Sequence, residues 1–383
     1  MSRNVYKTIM STTHEKTSHQ APSGGLNASA YTSAEFMSLE QTRLFSRHWM
    51  PIGFSHDVPE PGDIKAVATA AGQSLLMVRG ADGNLRVLHN YCPHRGMRLV
   101  ADESRGAHNI VCPYHAWCYG LDGKLLRIPH RHGFGKHAVE PGDPAGLEPV
   151  RCVVWTGIVF VDLSANAPDF DDFIAPLAKR WKHFDLSLLV PGTSMTFEVE
   201  GNWKLAVENF IDIYHVPFVH PALNSYIDVS QHEFISEGDV LLGQGSETYQ
   251  PTDAGSGQLP MFPDLTTSQA ATIEAVSLFP NLLLTVFGDN LRVILIEPTS
   301  TRSCRERVEI FFVGHQALDA ELAQARAIVS ERFPVFNLED VGVVEQLQRN
   351  FESSAFEHAH FLDFFDANVR RFQQRVAIAC STQ

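Results

Sequence analysis

The sequence predicts an α+β protein in which a small antiparallel β domain precedes a larger domain of mixed helices and strands. Three observations lead to this prediction. Short apolar or alternating runs separated by turn residues, such as Asp122-Gly123, dominate residues 64–161. Beyond residue 168, segments with helical periodicity alternate with further short apolar runs. A chain of 383 residues with 44% hydrophobic side chains is long enough for two or three domains.

The N-terminal end is predicted to be a disordered tail followed by a helix. Residues 1–30 are rich in Ser, Thr, Gly and Asn, which bury too little apolar surface to offset the entropy of ordering the chain. Phe36, Leu39, Leu44 and Phe45 then recur at helical spacing, so an amphipathic helix that enters the first domain is expected over residues 32–48. Strands are predicted over residues 64–68, 74–78, 85–88 and 153–161.

The first domain is expected to cover residues 31–165 with its flanking helix, and the second to cover residues 166–383. Helices of the second domain are predicted over residues 169–186, from near Trp203, over 318–333 and over 338–351. Its strands are predicted over residues 195–200, 282–287, 291–296 and 307–313. Residues 238–263 are rich in Gly, Pro, Ser and Gln and too long for a simple connection, so they are predicted to be a lid or a pocket-lining loop.

Composition excludes several classes of protein. The formal charge of -14 argues against a nucleic-acid partner, because a polyanion would be repelled. The chain has no run of eighteen apolar residues and no apolar signal region near its start, so neither a membrane span nor export is predicted. Six cysteines are too few for a disulfide framework, and free thiolates favour a reducing compartment, so a cytoplasmic location is expected.

The first ligand motif is Cys92-Pro93-His94, followed after seventeen residues by Cys112-Pro113-Tyr114-His115. Two thiolates and two imidazoles suit either a structural zinc ion or a 2Fe-2S cluster with the thiolates on one iron and the imidazoles on the other. Zinc sites of that class usually begin C-x-x-C with the histidines grouped together. Here each segment contributes one Cys and one His, which favours the cluster. Tyr114 and Tyr119 are candidate hydrogen-bond donors to its sulfurs.

The second ligand motif contains Asn209, Asp212, His215 and His220. Asp212 and His215 are three residues apart and are predicted to share one helical face. Pro217 is predicted to end this helix before His220, so that both histidines reach one metal ion. Taken singly, each histidine is better explained as a core or turn residue. Two histidines completed by one distant carboxylate form the facial triad that leaves open positions on Fe(II) for oxygen chemistry.

Together the motifs resemble those of the Rieske non-heme iron oxygenases, specifically their catalytic alpha subunit. That family has C-x-H, about seventeen residues and C-x-x-H, and further along the chain (D/N)-x-x-H-x-x-x-x-H. The resemblance covers about residues 49–351. It implies an all-β Rieske domain and a catalytic domain with an antiparallel sheet curled around a long helix, a helix-grip or START-like fold. It also implies which residues bind metal: Cys92, His94, Cys112 and His115 the 2Fe-2S cluster, and His215 and His220 the mononuclear Fe(II).

The resemblance also indicates the third iron ligand. Family members carry an Asp shortly before a helical E-x-x-Q, and Asp340 here precedes Glu345 and Gln348. The competing interpretation is that Asn337 caps this helix and Asp340 merely lies in its first turn. If Asp340 is not the ligand, Asp363 and Asp366 are the alternatives.

Asp212 is predicted to act on a ligand rather than to be one. A carboxylate that accepts a hydrogen bond from His215 would orient the imidazole, and Asn209 one turn earlier would support the same site. In the family this Asp also touches the cluster histidine of a neighbouring subunit, which implies a homotrimer. Some relatives that oxidise quaternary ammonium compounds have Glu here, which weakens the case for a carnitine-like substrate. The family commonly has Gly where this chain has Ala116, and a positive φ there would strain the loop.

The expected function is that of the terminal oxygenase component of a multi-component system. It would use O2 to hydroxylate, or to N- or O-dealkylate, a small organic substrate that is an aromatic compound or a methylated amine. No G-x-G-x-x-G follows a predicted strand, so NAD(P)H is expected to act only through a separate reductase or ferredoxin. The alternative is a Rieske-type electron-transfer protein with a degenerate second metal site. The roughly two hundred residues beyond the cluster domain, enough for a whole further domain, favour the oxygenase.

Overall fold

A computed structural model describes residues 25–132, 145–221, 231–238, 240–250 and 257–381. Within these ranges the strands form two seven-stranded sheets and one three-stranded sheet, and neighbouring strands pair antiparallel. The predicted α+β class is confirmed. No helix in the described ranges combines the length and the apolar composition needed to cross a lipid bilayer.

The first domain is a β domain with a seven-stranded and a three-stranded sheet. Its strands are Met50–Phe54 (β1), Ile64–Ala68 (β2), Ser74–Arg79 (β3), Leu85–His89 (β4), Glu103–Ser104 (β5), Ile110–Val111 (β6), Cys118–Tyr119 (β7), Leu125–Arg127 (β8), Pro149–Trp155 (β9) and Ile158–Asp162 (β10). The large sheet has the order β1-β10-β9-β4-β3-β2-β5, and the small sheet has the order β6-β7-β8.

Alternation along the central strand β3 separates two hydrophobic cores. Leu75 and Met77 lie in a core shared with the second domain, whereas Leu76 and Val78 lie in a small core that contains both motif cysteines. Successive side chains of a strand point to opposite faces, so a fully buried strand is apolar at every position. The strands predicted over residues 64–68, 74–78 and 85–88 are confirmed.

The run over residues 153–161, predicted as one strand, is a hairpin of β9 and β10. The chain reverses at Thr156-Gly157, where φ is +49° and +76°. Two consecutive positive φ values are typical of the tight turn that matches the twist of a hairpin. The prediction was wrong because Thr is uncommon in this conformation, so the sequence carried no turn signal before Gly157.

The N-terminal segment departs most from its prediction. Residues 1–24 of the predicted tail lie outside the described residues, but Leu26 and Ala30 are buried. The tail prediction is therefore wrong for residues 25–30. A short helix, Ser29–Thr32 (α1), leads into Ala34–Leu39 (α2), and a π-helical turn extends α2 over Glu40–Phe45.

This N-terminal segment packs against the second domain rather than only entering the first. The Phe45 ring lies 5.1 Å from that of Trp203, and the fully buried Lys204 ammonium contacts the Glu40 carboxylate at 2.5 Å. Tyr31 donates a hydrogen bond to Glu208 at 2.6 Å. These contacts join the predicted flanking helix of the first domain to helices formed much later in the chain.

The second domain is built on the other seven-stranded sheet. Its strands are Leu189–Val199 (β11), Glu233–Glu237 (β12), Leu241–Ser246 (β13), Ile273–Leu278 (β14), Leu282–Phe287 (β15), Asn290–Pro298 (β16) and Cys304–Val313 (β17). Their order is β11-β17-β16-β15-β14-β13-β12. The four predicted strands are confirmed as parts of β11, β15, β16 and β17. Three others were missed, and β13 illustrates why, since Gly243 and Gly245 weaken its strand propensity.

The longer helices of the second domain are Phe170–Arg180 (α3), Trp203–Ile211 (α4), Ala323–Phe351 (α7) and Ala367–Cys380 (α8), with the shorter Val216–Val219 (α5) and Thr267–Ala270 (α6). The two helices predicted over residues 318–333 and 338–351 are the single helix α7, of 29 residues and about 43 Å. Pro334 lies inside it without ending it. Near its C-terminal end, Gln348 accepts a hydrogen bond at 2.9 Å from the backbone N–H of Asn202, the N-cap of α4. The long helix thereby fixes the start of the helix that leads into the second motif.

Candidate metal centres and cavity

The two cluster segments form loops with the same hydrogen bonds. In each, the Cys N–H donates to the carbonyl five residues later, and the residue four positions after the Cys donates back to the Cys carbonyl. The bonds are Cys92 N to Met97 O (2.8 Å), Gly96 N to Cys92 O (2.8 Å), Cys112 N to Trp117 O (2.8 Å) and Ala116 N to Cys112 O (3.0 Å). Gly96 has φ +73° and Ala116 has φ +54°. The expected strain at Ala116 is therefore present, at about 1 kcal/mol for an L-residue in this region.

The cysteines are buried, and the two histidines are less buried. Cys92 and Cys112 belong to the small core beneath β3, whereas His94 is exposed. The rings of His94 and His115 are 4.7 Å apart at an interplanar angle of 70°. Trp117, which was not predicted as part of the site, stacks on His94 at 4.7 Å with the rings 6° from parallel. Nothing in the motif spacing indicated this contact.

One of the two predicted tyrosines contacts a cluster sulfur. The Tyr119 hydroxyl lies 3.0 Å from Cys92 Sγ. Burial and the neighbouring Cys92 raise the pKa of Tyr119, so its hydroxyl stays protonated and can donate to a thiolate. Burial also raises the pKa of the Cys92 thiol, so a bound metal is needed to hold it as a thiolate. Tyr114 is 54% exposed, and its ring lies 3.7 Å from that of His115.

The donor set fits a two-iron cluster better than zinc. His115 Nδ1 is buried and has no hydrogen-bond partner in the described part of the chain, as expected of an atom that binds metal. Each loop contributes one Cys and one His, which is the pairing needed for a cluster with both thiolates on one iron and both imidazoles on the other.

The second motif is positioned by a break after α4. The helix ends at Ile211, and Asp212 is extended with φ -84° and ψ 130°. Its carboxylate accepts hydrogen bonds from the Tyr214 N–H (2.8 Å) and the His215 N–H (3.2 Å), and lies 2.9 Å from His215 Nδ1. The predicted contact between Asp212 and His215 is present, but the shared helical face was wrong. Asp side chains readily form such local bonds to the backbone and so compete with the helix.

The role predicted for Pro217 was also wrong. Pro217 lies in the first turn of α5, whose N-cap is His215, rather than at the end of a helix. Proline suits that position because its missing N–H would have no partner there and its fixed φ is already helical. The turn at residues 212–214, followed by α5, brings His220 back toward His215, with ring centroids 5.2 Å apart.

Three predicted iron ligands converge. The donor atoms of His215, His220 and Asp340 all lie within 4.8 Å of one another. His220 Nε2 is 2.9 Å and His215 Nε2 is 3.3 Å from Asp340 Oδ1. His220 Nδ1 lies 2.6 Å from Glu339, so each histidine has its own carboxylate on the nitrogen that faces away from Asp340. Glu339 was not predicted to be part of the site, and its only signal in the sequence was its place beside Asp340.

Charge at this site suits a cation. Burial alone would lower the pKa of His215, but hydrogen bonds to Asp212 and Asp340 outweigh it and raise the pKa to about 9. Burial would raise the pKa of Asp340, but the two histidines lower it to about 2. Two imidazoles and one carboxylate form the donor set of a non-heme Fe(II) triad. A bound metal ion would replace the protons that the imidazoles hold without it.

The remaining site predictions have mixed outcomes. Asn209 supports the site by a hydrogen bond to Asp340 rather than to Asp212. Asn337 does not cap a helix, since it lies within α7 and donates to Glu306 at 2.7 Å. Asp363 is exposed and pairs with Arg370, and Asp366 accepts from the Leu362 N–H, so neither joins the histidines.

A cavity of about 450 Å³ adjoins the triad. It lies between α4, α7 and the sheet of the second domain, and Asn209, Asp212, His215, His220 and Asp340 are part of its lining. The predicted lid at residues 238–263 also contributes, through Gln244 on β13 and through residues 248–250. Residue 239 and residues 251–256 of that segment lie outside the described residues.

Comparison with known protein families agrees with both centres. Residues 48–140 match the Rieske [2Fe-2S] domain, and residues 186–382 match the catalytic domain of the ring hydroxylating alpha subunit. The second match spans more than half of the chain. The protein belongs to the ring-hydroxylating alpha subunit family. As a Rieske non-heme iron oxygenase and terminal oxygenase component, it carries a Rieske 2Fe-2S cluster and a non-heme iron. The alternative of an electron carrier with a degenerate second site is wrong.

Individual relatives of this alpha subunit have named activities. The chain is 27% identical over 337 residues to the carnitine monooxygenase oxygenase subunit of Escherichia coli (strain K12), covering 85% of this chain and 84% of the relative. It is 31% identical over 193 residues to the glycine betaine monooxygenase oxygenase subunit of Pseudomonas aeruginosa (strain UCBPP-PA14), covering 50% and 44%. It is 33% identical over 212 residues to the large oxygenase component of salicylate 5-hydroxylase from Ralstonia sp, covering 51% and 49%.

The fold of this alpha subunit also occurs in solved structures. A quaternary ammonium Rieske monooxygenase superposes with a TM-score of 0.77 at 23% identity, covering 93% of this chain and 95% of that one. Naphthalene 1,2-dioxygenase from Rhodococcus sp. superposes with a TM-score of 0.73 at 19% identity, covering 93% and 94%. At these identities the likeness shows the fold alone, and it confirms the predicted pairing of a β Rieske domain with an α+β catalytic domain.

Proposed function

We propose that the protein uses O2 to hydroxylate, or to N- or O-dealkylate, a small organic substrate bound in the cavity of the second domain. Electrons would come one pair per turnover from a separate NAD(P)H-dependent reductase, directly or through a ferredoxin. The observation that carries the proposal is the convergence of His215, His220 and Asp340 on the wall of that cavity. A carrier of electrons alone would need no such site.

The ligand roles follow from the donor geometry. Cys92, His94, Cys112 and His115 would hold the cluster, and His215, His220 and Asp340 would hold the Fe(II). When bound, the cluster transfers single electrons and the iron activates O2. Asp212 and Glu339 would keep a proton on the Nδ1 atoms of the two histidines, which leaves both Nε2 atoms free for metal beside Asp340 Oδ1.

The apolar lining of the cavity would keep water from the reacting substrate. Phe210, Val216, Ile294 and Phe336 line it together with the triad. Exclusion of water protects reactive species and strengthens the interactions that orient the substrate.

We propose a homotrimer in which the cluster of one subunit serves the iron of its neighbour. Exposed apolar side chains accompany both centres in a way that suits burial against another copy. Met97 and Tyr114 flank the cluster loops, and Tyr214 and Phe218 flank the iron motif. Two different patches that meet head to tail generate a ring when the rotation closes. Asp212, which contacts both His215 and the backbone of the exposed Tyr214, would link the partner's cluster histidine to the iron ligand.

The substrate would be a methylated amine or an aromatic compound. The relatives named above act on carnitine, glycine betaine and salicylate. Some oxidisers of quaternary ammonium compounds have Glu at the position of Asp212. This difference weakens the case for a carnitine-like substrate, and turnover of carnitine tests it.

The iron content of purified protein tests the proposal. We expect three irons per chain in the wild type and two in Asp340→Ala, with the Rieske absorption spectrum intact and turnover abolished. Asp363→Ala is the matched control and should keep three irons and full turnover. If Asp340→Ala retains three irons, Asp340 is not a ligand, and a wild type that holds two irons and consumes no O2 with any reductase would refute the oxygenase function.

A further inference from the structure

A row of side chains that line the cavity crosses four strands of the second-domain sheet. Gln244 on β13 pairs with Ala275 on β14, Ala275 with Thr285 on β15, and Thr285 with Arg292 on β16. Directly opposed residues of an antiparallel sheet present their side chains on the same face, and all four line the cavity. The row thus places an amide, a hydroxyl and a guanidinium on one wall, with the small Ala275 leaving space between them.

Arg292 is held by aromatic rings from both walls of the cavity. Its guanidinium carbon lies 4.6 Å from the ring centroid of Phe287 on β15 and 5.9 Å from that of Phe333 on α7. A guanidinium stacked on aromatic faces is restricted in orientation and keeps its N–H groups in one plane. That planar fork matches the two oxygens of a carboxylate, which it binds in a bidentate manner.

Gln244 adds an independent sign of a ligand. The residue is only 6% exposed, and its Oε1 atom has no hydrogen-bond partner in the described part of the chain. A buried amide without a partner is destabilising, by about 1–3 kcal/mol, so a group of this kind in a cavity wall suits a polar ligand. The atom without a partner is an acceptor and suits a donor group of the ligand, and a 180° turn of the amide would offer the NH2 group to an anion instead.

The charges that line the cavity are separated. Among the described residues, its acidic lining residues are Asp212 and Asp340, both in contact with the histidines. Its arginines are Arg292 and Arg332. Arg332 precedes Asp340 by eight residues on α7, which is about 12 Å along the helix axis. The carboxylates of the cavity lining thus lie at the iron end, where a bound Fe(II) would neutralise them, whereas Arg332 lies about two helical turns away.

The neighbouring carboxylate of Asp289 does not remove this asymmetry. Asp289 is buried outside the cavity lining, and its oxygens accept hydrogen bonds from the Tyr249 hydroxyl (2.9 Å) and the Asn290 amide (2.6 Å). Burial raises the pKa of Asp289 despite the nearby Arg292. Its oxygens are thus engaged by two other donors, and the charged residues that line this end of the cavity are the two arginines.

We propose that the cavity binds a substrate with a carboxylate at one end, held by Arg292 together with Thr285 and Gln244, so that a C–H bond at its other end lies beside the triad. The inference rests on the function proposed above, since it takes this cavity to be the substrate site. The substrate class is a small carboxylic acid, aromatic or methylated on nitrogen. Carnitine, glycine betaine and salicylate, named for the relatives, share this one group.

The test measures the binding of matched compounds to the iron-loaded protein by calorimetry, without reductase. Salicylate is compared with salicylamide, and glycine betaine with choline, because each pair differs in the carboxylate alone or nearly so. We expect at least one carboxylate to bind about tenfold or more tightly than its partner compound. In Arg292→Gln the affinity for that carboxylate should fall by about 10- to 100-fold, the usual contribution of a hydrogen bond to a charged group, so the preference should be largely lost. Arg292→Lys, which keeps the charge but loses the fork, should lie between.

Arg302→Gln is the matched control, because Arg302 is an exposed arginine paired with Glu352 outside the cavity lining. Its binding should equal that of the wild type. Thermal unfolding of each variant verifies that it is folded. If Arg292→Gln does not fold, the comparison is made with Arg292→Lys. Equal binding within both pairs, tighter binding of choline than of glycine betaine, or an unchanged preference in both Arg292 variants would overturn the inference.

Turnover separates this inference from the proposed function. Carboxylate binding that depends on Arg292, with no product formed in the presence of O2 and reductase, would leave the anion site standing and refute the oxygenase function. Product formed only from uncharged or cationic compounds would refute the carboxylate site and leave the oxygenase function standing.

Discussion

Replacement of Asp212 by Asn should interrupt electron transfer into the iron site while leaving both metal centres in place. The Asp212 carboxylate uses both oxygens: one accepts from the Tyr214 N–H, and the other accepts from the His215 N–H and lies 2.9 Å from His215 Nδ1. An Asn has one carbonyl oxygen, so it can serve the two His215 donors only if its NH2 group faces the Tyr214 N–H. The shape of the turn survives, but the charge and one hydrogen bond are lost.

The magnitude follows from these contacts. Loss of one hydrogen bond to a charged acceptor should lower the free energy of unfolding by about 1.5–3 kcal/mol. The pKa of His215, raised to about 9 partly by Asp212, should fall, so its imidazole becomes a weaker metal ligand. Removal of an outer carboxylate from a metal-bound histidine typically lowers affinity or activity by about 10- to 100-fold. Because the proposed anionic bridge to the partner's cluster would also be lost, we expect product formation to fall by about a hundredfold or more.

Reoxidation of the pre-reduced enzyme by O2 in the presence of substrate isolates this step from delivery by the reductase. The cluster should still be reduced at the wild-type rate by an external reductase, but its reoxidation should be slow. Asp185→Asn is a matched control, since Asp185 also accepts a hydrogen bond from a backbone N–H two residues later but lies at the exposed start of a short turn. It should reoxidise normally.

Fast reoxidation and a normal product yield in Asp212→Asn would refute this explanation. Asp212 would then serve only the local turn, and the proposed path between subunits would lose its support in this chain.

Three further predictions concern single side chains. Ala116→Gly should raise the free energy of unfolding by about 0.5–1 kcal/mol in urea titrations, because residue 116 has a positive φ that favours glycine. Gly96→Ala should lower it by about 1 kcal/mol for the same reason. Changes of the same sign in the two variants would contradict the similarity of the two loops. The buried Glu208 has its pKa raised to about 7, so its contribution to stability is complete below pH 4.5 and is lost as the pH rises through 7. Glu208→Gln should remove that loss, up to about 3 kcal/mol, and a constant difference between the two proteins from pH 5 to 8 would count against it. Glu339→Gln should weaken Fe(II) binding about 10- to 100-fold in iron titrations by loosening His220, with the Rieske spectrum unchanged; unaltered iron affinity would show that this contact is incidental.

The parts of the site that sequence could predict are those set by chemistry at short range. Thiolate and imidazole spacing indicated the cluster loops. Asp340 was indicated by the resemblance to family members with an Asp shortly before a helical E-x-x-Q, and the structure places it beside both histidines. Glu339 and Trp117 could not be predicted, because one carboxylate or one aromatic ring near a motif is common and only the folded geometry distinguishes them.

In the fold, too, some elements could be predicted from the sequence and others depended on tertiary contacts. Runs with a clear period, such as β15 and β16, were predicted, whereas α7 was divided at Pro334 because a proline inside a helix usually ends it. Tertiary packing overrides that tendency here, since Phe333 and Asn337 are buried on either side of the proline. The Asx-type turn at Asp212 was missed for the opposite reason, because a strong local bond of the side chain prevailed over helical periodicity.

The packing of residues 25–45 against the catalytic domain has a consequence for how the chain is assembled. The backbone of Leu26 bonds to Gln373 across 347 positions, and Glu40 neutralises Lys204 where water is excluded. A shortened protein that started at residue 48, where the Rieske match begins, would leave that ammonium without its counter-charge, at about 3–5 kcal/mol, a large share of the stability of an ordinary domain. The boundary drawn by homology is therefore not a boundary for folding. During synthesis this segment leaves the ribosome ahead of the Rieske domain, yet its partners on α8 emerge only after the whole catalytic sheet, so the iron-binding half closes only when residues 25–45 meet α8.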